Sequence, residues 1–206
     1  MARTYANYSL PSLNSETYKG SGRWMSARLV ELAWICQGVV AVEAGGPSWE
    51  FVRESAEKTT KPELTLTFDD GATAYWSACH QRWNGEFPDW AKVQRVHAER
   101  LGATAWLLTD EFIADNEIEF ANRTDAYYLL SHARGWDSSE LERDLLMEVH
   151  HTPKSVGALA ERLRRPVHQV KAAALRLWLR RLVKLTMTTV RIGNDWLIAG
   201  ERHGLS

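Results

Sequence analysis

Two groups of residues in this chain have types and spacing that could carry chemistry. The first lies in residues 61–80, K-P-E-L-T-L-T-F-D-D-G-A-T-A-Y-W-S-A-C-H, which holds Glu63, Asp69, Asp70, Cys79 and His80. Carboxylates gathered by a fold can hold Mg²⁺, which demands near-octahedral oxygen ligands and can activate a water for hydrolysis. Asp69-Asp70-Gly71 is most economically a turn between two alternating apolar runs, so the stretch reads as a β-hairpin with Glu63 at its head. The second group is basic: Arg164, Arg165, His168, Gln169, Lys171, Arg176, Arg180 and Arg191 lie in a segment with no acid between Glu161 and Asp195. Gln can pair with adenine and Arg with guanine at base edges, while more distant cations meet phosphates. The bland reading of the same residues is a solvated helix face. His150-His151 raises a third possibility, zinc, but no Cys or His lies nearby at ligand spacing, and a helix C-terminus favours His through its dipole alone.

The elements that must position the basic group are legible from periodicity. Gly135 can end one helix in a left-handed turn, and Asp137 or Ser138 can cap the next. Leu141, Leu145, Leu146 and Val149 fall on one face of that helix, which stops before Pro153. Ser155 caps a second helix with Val156, Leu159, Ala160 and Leu163 on its apolar face. Arg164-Arg165 makes a short turn, and Pro166 opens a third helix that buries Val167, Val170, Ala174, Leu177 and Trp178. Its N-terminal half turns Arg165, His168, Gln169, Lys171 and Ala172 outward. Residues 184–200 read as two short strands joined by a turn at Gly193-Asn194-Asp195.

The acids sit in a different pattern. Residues 22–40 form an amphipathic helix carrying Arg28 and Glu31. V-V-A-V-E-A is a strand running to Gly45-Gly46-Pro47, and S-W-E-F-V-R-E-S is a further extended piece. The hairpin follows, then a helix over 88–101 closed by Gly102, the apolar strand T-A-W-L-L-T, and a last helix through T-D-A-Y-Y-L-L-S-H-A-R. Helix, antiparallel strands, helix, strand, helix predicts an α/β/α sandwich with a mixed sheet. Residues 1–21 read as an N-terminal arm, 22–135 as the α/β domain and 137–206 as a second domain.

Bulk properties narrow the partners. At 206 residues with 45% hydrophobic side chains, the chain can bury real cores. No run is apolar enough to span a membrane, and the start M-A-R-T-Y-A-N-Y lacks a signal-peptide core. Two cysteines are too few for a disulfide framework, which points to the cytoplasm. The ten tryptophans are scattered and read as core and hairpin anchors. The net charge of -1 hides an asymmetry: residues 137–206 carry 12 Lys+Arg against 8 Asp+Glu, whereas residues 1–136 carry 13 against 18. A nucleic-acid footprint would therefore lie mainly in the C-terminal third.

Two resemblances follow from these residues. Helix, helix, short turn, long helix and hairpin over about 65 residues resembles a winged helix-turn-helix, in which the third helix reads the major groove and Arg191 would sit beside the wing tip. The pieces V-V-A-V-E-A-G-G-P, P-E-L-T-L-T-F-D-D-G and E-R-L-G-A-T-A-W-L-L-T-D-E-F-I resemble the TnsA-type endonuclease subunit of heteromeric bacterial transposases, a PD-(D/E)XK restriction-endonuclease-like fold. The resemblance implies a metal site built from a helix Glu, an acid after Pro, and an acid-x-Lys on the next strand. Here Glu31 (or Arg28) holds the helix position and Glu63 the position after Pro62. Ser77-Ala78-Cys79 stands where acid-x-Lys belongs, unless Lys92 or Gln94 reaches back from the following helix. What the resemblance implies is therefore a DNA-binding protein of a mobile element or phage on a pseudo-nuclease frame, with Glu31 and Glu63 as remnants of a catalytic site, no metal-binding set and double-stranded DNA as partner. Two alternatives stay open: an active Mg²⁺-dependent endonuclease working beside a transposase, and a protein-interaction adaptor. No heptad seam fixes an oligomeric state.

Overall fold

The structure, a computed structural model, describes residues 6–11, 17–22, 24–79 and 87–201, with side chains from Met25 onward. The described chain is mixed α/β and divides into two compact units. One comprises mainly residues 18–34 and 39–115, the other mainly 35–38 and 116–206. The division falls at Asp115/Asn116, some twenty residues before the Gly135 boundary read from the sequence, because the helix over 117–132 packs with the C-terminal unit. Within the stretch read as an arm, β1 (Ala6–Pro11) and β2 (Thr17–Gly22) pair with each other. His80 and residues 202–206 lie outside the described residues.

In the first unit, α1 (Trp24–Trp34) is followed by β3 (Val39–Ala44), β4 (Trp49–Arg53), β5 (Ala56–Thr60), β6 (Leu64–Phe68) and β7 (Thr73–Ala78). Then come α2 (Asp89–Arg100), β8 (Thr104–Leu108) and the short α3 (Asp110–Asp115). The sheet order is β3-β6-β7-β8, antiparallel except for the parallel β7–β8 pair. That pair is parallel because α2 carries the chain back to the starting edge between the two strands. The turn at 69–72 forms as the D-D-G spelling requires: Gly71 takes φ 82, and the Asp70 carboxylate accepts from the Ala72 amide at 2.9 Å. The extended piece at 49–53 does not join this sheet. It pairs with β5 as a separate ribbon, turning at Glu54 and Ser55, both at positive φ. Trp49 fastens the ribbon, packing edge-on to Tyr75 and stacking on His97 of α2, with centroids 5.5 Å apart in both cases. α1 packs against β3 and β7. Its Met25, Leu29, Val30 and Ala33 are buried at the helical spacing the sequence displays.

The second unit contains α4 (Glu117–His132), α5 (Ser139–Val149), β9 (Lys154–Ser155), α6 (Val156–Leu163), α7 (Val167–Leu179), β10 (Val183–Leu185) and β11 (Leu197–Gly200). Ser155 caps α6, its Oγ accepting from the Ala158 amide at 3.2 Å. α7 is the hub, packing on α4, α5 and α6. Its run Ala172-Ala173-Ala174-Leu175 is buried throughout, and small side chains let three helices approach one axis closely. Ala172 is thus interior, 1% exposed, rather than outward as its position along the helix predicts. The β-strands pair in the order β10-β11-β9. The 193–195 segment is not a tight hairpin turn: the strands end at Leu185 and resume at Leu197, leaving a long loop whose own bonds are described below.

Glu148 of α5 joins two elements by accepting from Lys154 Nζ and Arg162 Nε, both at 2.5 Å. The hydrogen bonds from Arg162 and then Lys154 hold its carboxyl below the ordinary value. A depressed folded-state pKa stabilises the fold above the unfolded-state pKa, and that contribution is lost as pH falls through the folded-state value. Denaturant midpoints of Glu148→Gln should therefore fall less steeply than wild type once the pH drops below about 4.3, and the two curves should run parallel above it.

Candidate functional site

Glu63 is built into the strand framework. Its amide donates to the Trp76 carbonyl at 2.9 Å, its carbonyl accepts from Gly45 at 2.7 Å, and its Oε1 accepts from the Ala78 amide at 3.0 Å. Gly46 makes this possible: a Cβ there would stand 2.5 Å from Pro62 Cγ and 2.8 Å from Thr65 Oγ1. The acid thus clips the ends of three neighbouring strands together. Glu31, 4% exposed, receives Arg28 Nη1 at 2.6 Å, one helical turn away. Among the described residues, no three His, Cys, Asp or Glu side chains converge as a metal site would require.

Around Ser77, where the TnsA resemblance would look for an acid-x-Lys pair, lies a neutral network. Ser77 Oγ donates to Gln94 Oε1 at 2.8 Å, and Gln94 Nε2 donates to Thr60 Oγ1 at 2.8 Å. All three side chains are buried. Gln94 does reach back from α2, but to hydroxyls; Lys92 instead lies 3.6 Å from Asp89 with its side chain mostly exposed. Cys79 is buried, its amide bonded to the Leu108 carbonyl at 2.8 Å. An amide between two hydroxyls satisfies itself without a cation, whereas two carboxylates here would need one.

The basic residues divide by environment. Arg164 closes α6 in the left-handed region at φ 52, and the Arg165 amide donates to the Ala160 carbonyl at 3.0 Å, so the turn presents both side chains to solvent. His168 is exposed, and Gln169 and Lys171 are half-buried on the N-terminal half of α7. Arg164, His168 and Lys171 meet no carboxylate among the described residues. Arg165 pairs with Glu140 at 3.1 Å, Arg191 with Asp125 at 2.6 Å, and Arg180 with Glu142.

Arg176 does not belong with them. Its guanidinium turns into the α4–α5 connection, donating to the Ala133 carbonyl at 2.6 Å, the Trp136 carbonyl at 2.8 Å and Ser138 Oγ, and it lies over the Trp136 ring. The fork thus commits three of its five N–H donors to acceptors inside the protein. In this structure it braces the connection. His150 and His151 pack ring against ring, 4.5 Å apart and exposed, and among the described residues no group of three His, Cys, Asp or Glu side chains forms a metal site.

One residue outside the groups singled out from the sequence governs the 186–196 loop. Asn122 of α4, 0% exposed, donates through Nδ2 to the Met187 and Val190 carbonyls, both at 2.7 Å, and accepts from the Ile192 amide at 2.9 Å. Trp196 Nε1 donates to the Thr186 carbonyl at 2.8 Å. Arg191 therefore projects from a backbone fixed on both sides. The only sequence cue was an Asn among the apolar positions Phe120, Ala126, Tyr127 and Leu130 of one helix, where an unpartnered amide would be costly.

Comparison with protein-family models and with curated proteins gave no match. Two stability measurements test these assignments. Arg176→Ala should lower the unfolding free energy by about 1.5–3 kcal/mol, with little recovery in Arg176→Lys, because a lysine cannot span three acceptors. Ser77→Ala should cost about 1–3 kcal/mol by leaving Gln94 Oε1 unsatisfied, read as a shifted denaturant midpoint at constant slope.

Proposed function

We propose that this chain is a DNA-binding protein. Residues 139–200 would act as a winged helix-turn-helix, carried on a PD-(D/E)XK-like, TnsA-like domain that has given up its metal site. The observation that carries the reading is the strip of exposed Arg164 and His168 with half-buried Gln169 and Lys171, at the turn into α7 and along its first turns, with no acid among the described residues engaging those cations. In a winged helix this is the part of the third helix that enters the major groove. The order of elements, α5-β9-α6-α7-β10-β11, agrees with that reading. The neutral Ser77–Gln94–Thr60 network favours a frame retained for binding over one that cuts. A mobile element or phage, with a transposase as protein partner, is the setting the TnsA resemblance suggests.

The test is a mobility-shift titration on duplex DNA at several salt concentrations, beside a plasmid-nicking assay with Mg²⁺ and Mn²⁺. With Arg164, Arg165, Lys171, Arg180 and Arg191 as phosphate contacts, the log–log salt slope should be about −4 to −5. Lys171→Ala should weaken binding to all sequences alike, whereas Gln169→Ala should cost about 1–3 kcal/mol on the preferred sequence only. Flat titrations at low salt would leave the adaptor reading. Cleavage that survives in the wild type and disappears in Glu63→Gln, which keeps an acceptor for Ala78, would restore the nuclease.

A further inference from the structure

The arginines of the proposed DNA face are of two kinds, and the difference lies in their neighbours. Arg164 has no carboxylate partner among the described residues. Arg165 and Arg191 each have one, supplied by a different element: Glu140 from α5 and Asp125 from α4. Both acids are well exposed, at 69% and 50% of their side-chain surface, so burial does not force either pairing.

The Arg191 pair is the more constrained. Asp125 follows Asn122 by three residues on α4, which puts both side chains on one helix face. Asn122 fixes the backbone at Val190 and Ile192, the two neighbours of Arg191. The guanidinium is thus delivered to Asp125 by a loop that cannot swing away without losing three hydrogen bonds to a buried amide. A carboxylate offers a guanidinium the same forked pair of anionic oxygens as a phosphate. The pair rests on one bond, from Arg191 Nη2 to Asp125 Oδ2 at 2.6 Å, so a phosphate that engaged both arms of the fork would compete with that carboxylate.

We propose that Asp125 and Glu140 are internal phosphate mimics. In the free protein they occupy Arg191 and Arg165, DNA must displace them, and the affinity of the C-terminal unit is held down by its own acids. This rests on the DNA-binding reading above. Glu142 stands in the same relation to Arg180, but it also accepts from Ser138 Oγ, so its removal would disturb the fold as well.

The experiment uses the full chain and one duplex at fixed low salt. Asp125→Ala and Glu140→Ala should each tighten binding about two- to five-fold, the range that an exposed ion pair can contribute. Glu161→Ala is the control, removing an exposed acid of the same unit that pairs with no arginine among the described residues; it should change affinity less than either. The decisive comparison is a cycle: in an Arg191→Ala background, Asp125→Ala should have no effect, since there is no arginine left to release. Equal tightening by all three acids, or a gain from Asp125→Ala that persists without Arg191, would mean simple charge removal and overturn the proposal. Binding by wild type with no gain in the variants would overturn this inference alone. Absence of binding by every variant would overturn the DNA-binding reading together with it. Unchanged thermal midpoints confirm that the variants are folded.

Discussion

A loop can be held against a folded unit only if its backbone polar groups find partners, and in the C-terminal unit one amide side chain supplies them. Asn122 meets two carbonyls and one amide of the 186–196 loop, using both ends of its carboxamide. Much of the local structure follows from that fixing. Met187 is buried, Trp196 can bury completely while its indole bonds to Thr186, and Arg191 is aimed at one place. The same stretch then continues into β11, whose neighbours β10 and β9 complete the small sheet. Backbone bonds from Val156 to Trp196 and from Gly157 to Asn194 tie the first turn of α6 to it.

Around this framework, cations of one chemical type take three different roles. Arg176 is spent on carbonyls and an aromatic face, where its planar fork holds the α4–α5 connection. Arg165, Arg180 and Arg191 face acids of neighbouring helices. Arg164, His168 and Lys171 face none among the described residues. Exposed pairs are worth little to stability. Their effect is greater on what can approach, since a neutralised arginine draws no anion until its partner is displaced. Surface charge counted from composition overstates the field such a face presents.

The first unit resolves an analogous problem without charge. Where a metal-dependent nuclease of the resembled family would gather acids and a lysine, Ser77, Gln94 and Thr60 close a buried chain of neutral hydrogen bonds. Such a network is stable without an ion because each desolvated group has its partner. Glu63 keeps the place of an acid at the strand head but is bonded to the Ala78 amide, so its carboxylate helps fix strand ends. The architecture that positions a site and the residues that run it are separable, so a mixed sheet of this kind does not by itself imply a metal site.

The sequence by itself determined the elements whose signals are local. The D-D-G turn, the Pro88 and Ser155 helix starts, the Gly102 stop and the apolar stripes of α1, α5 and α6 follow from turn chemistry, capping and helical period, and those act over a few residues. It also located the exposed cations at 164, 165 and 168. Only the tertiary structure decided the long-range matters. The β4–β5 ribbon left the sheet, α4 joined the C-terminal unit, Ala172 turned inward because α7 is covered by three helices, and Arg176 became a brace. The reason is common to all of them: a guanidinium or an amide carries several donors with no directional signal along the chain, and its role is settled by whichever acceptors the fold brings within about 3 Å.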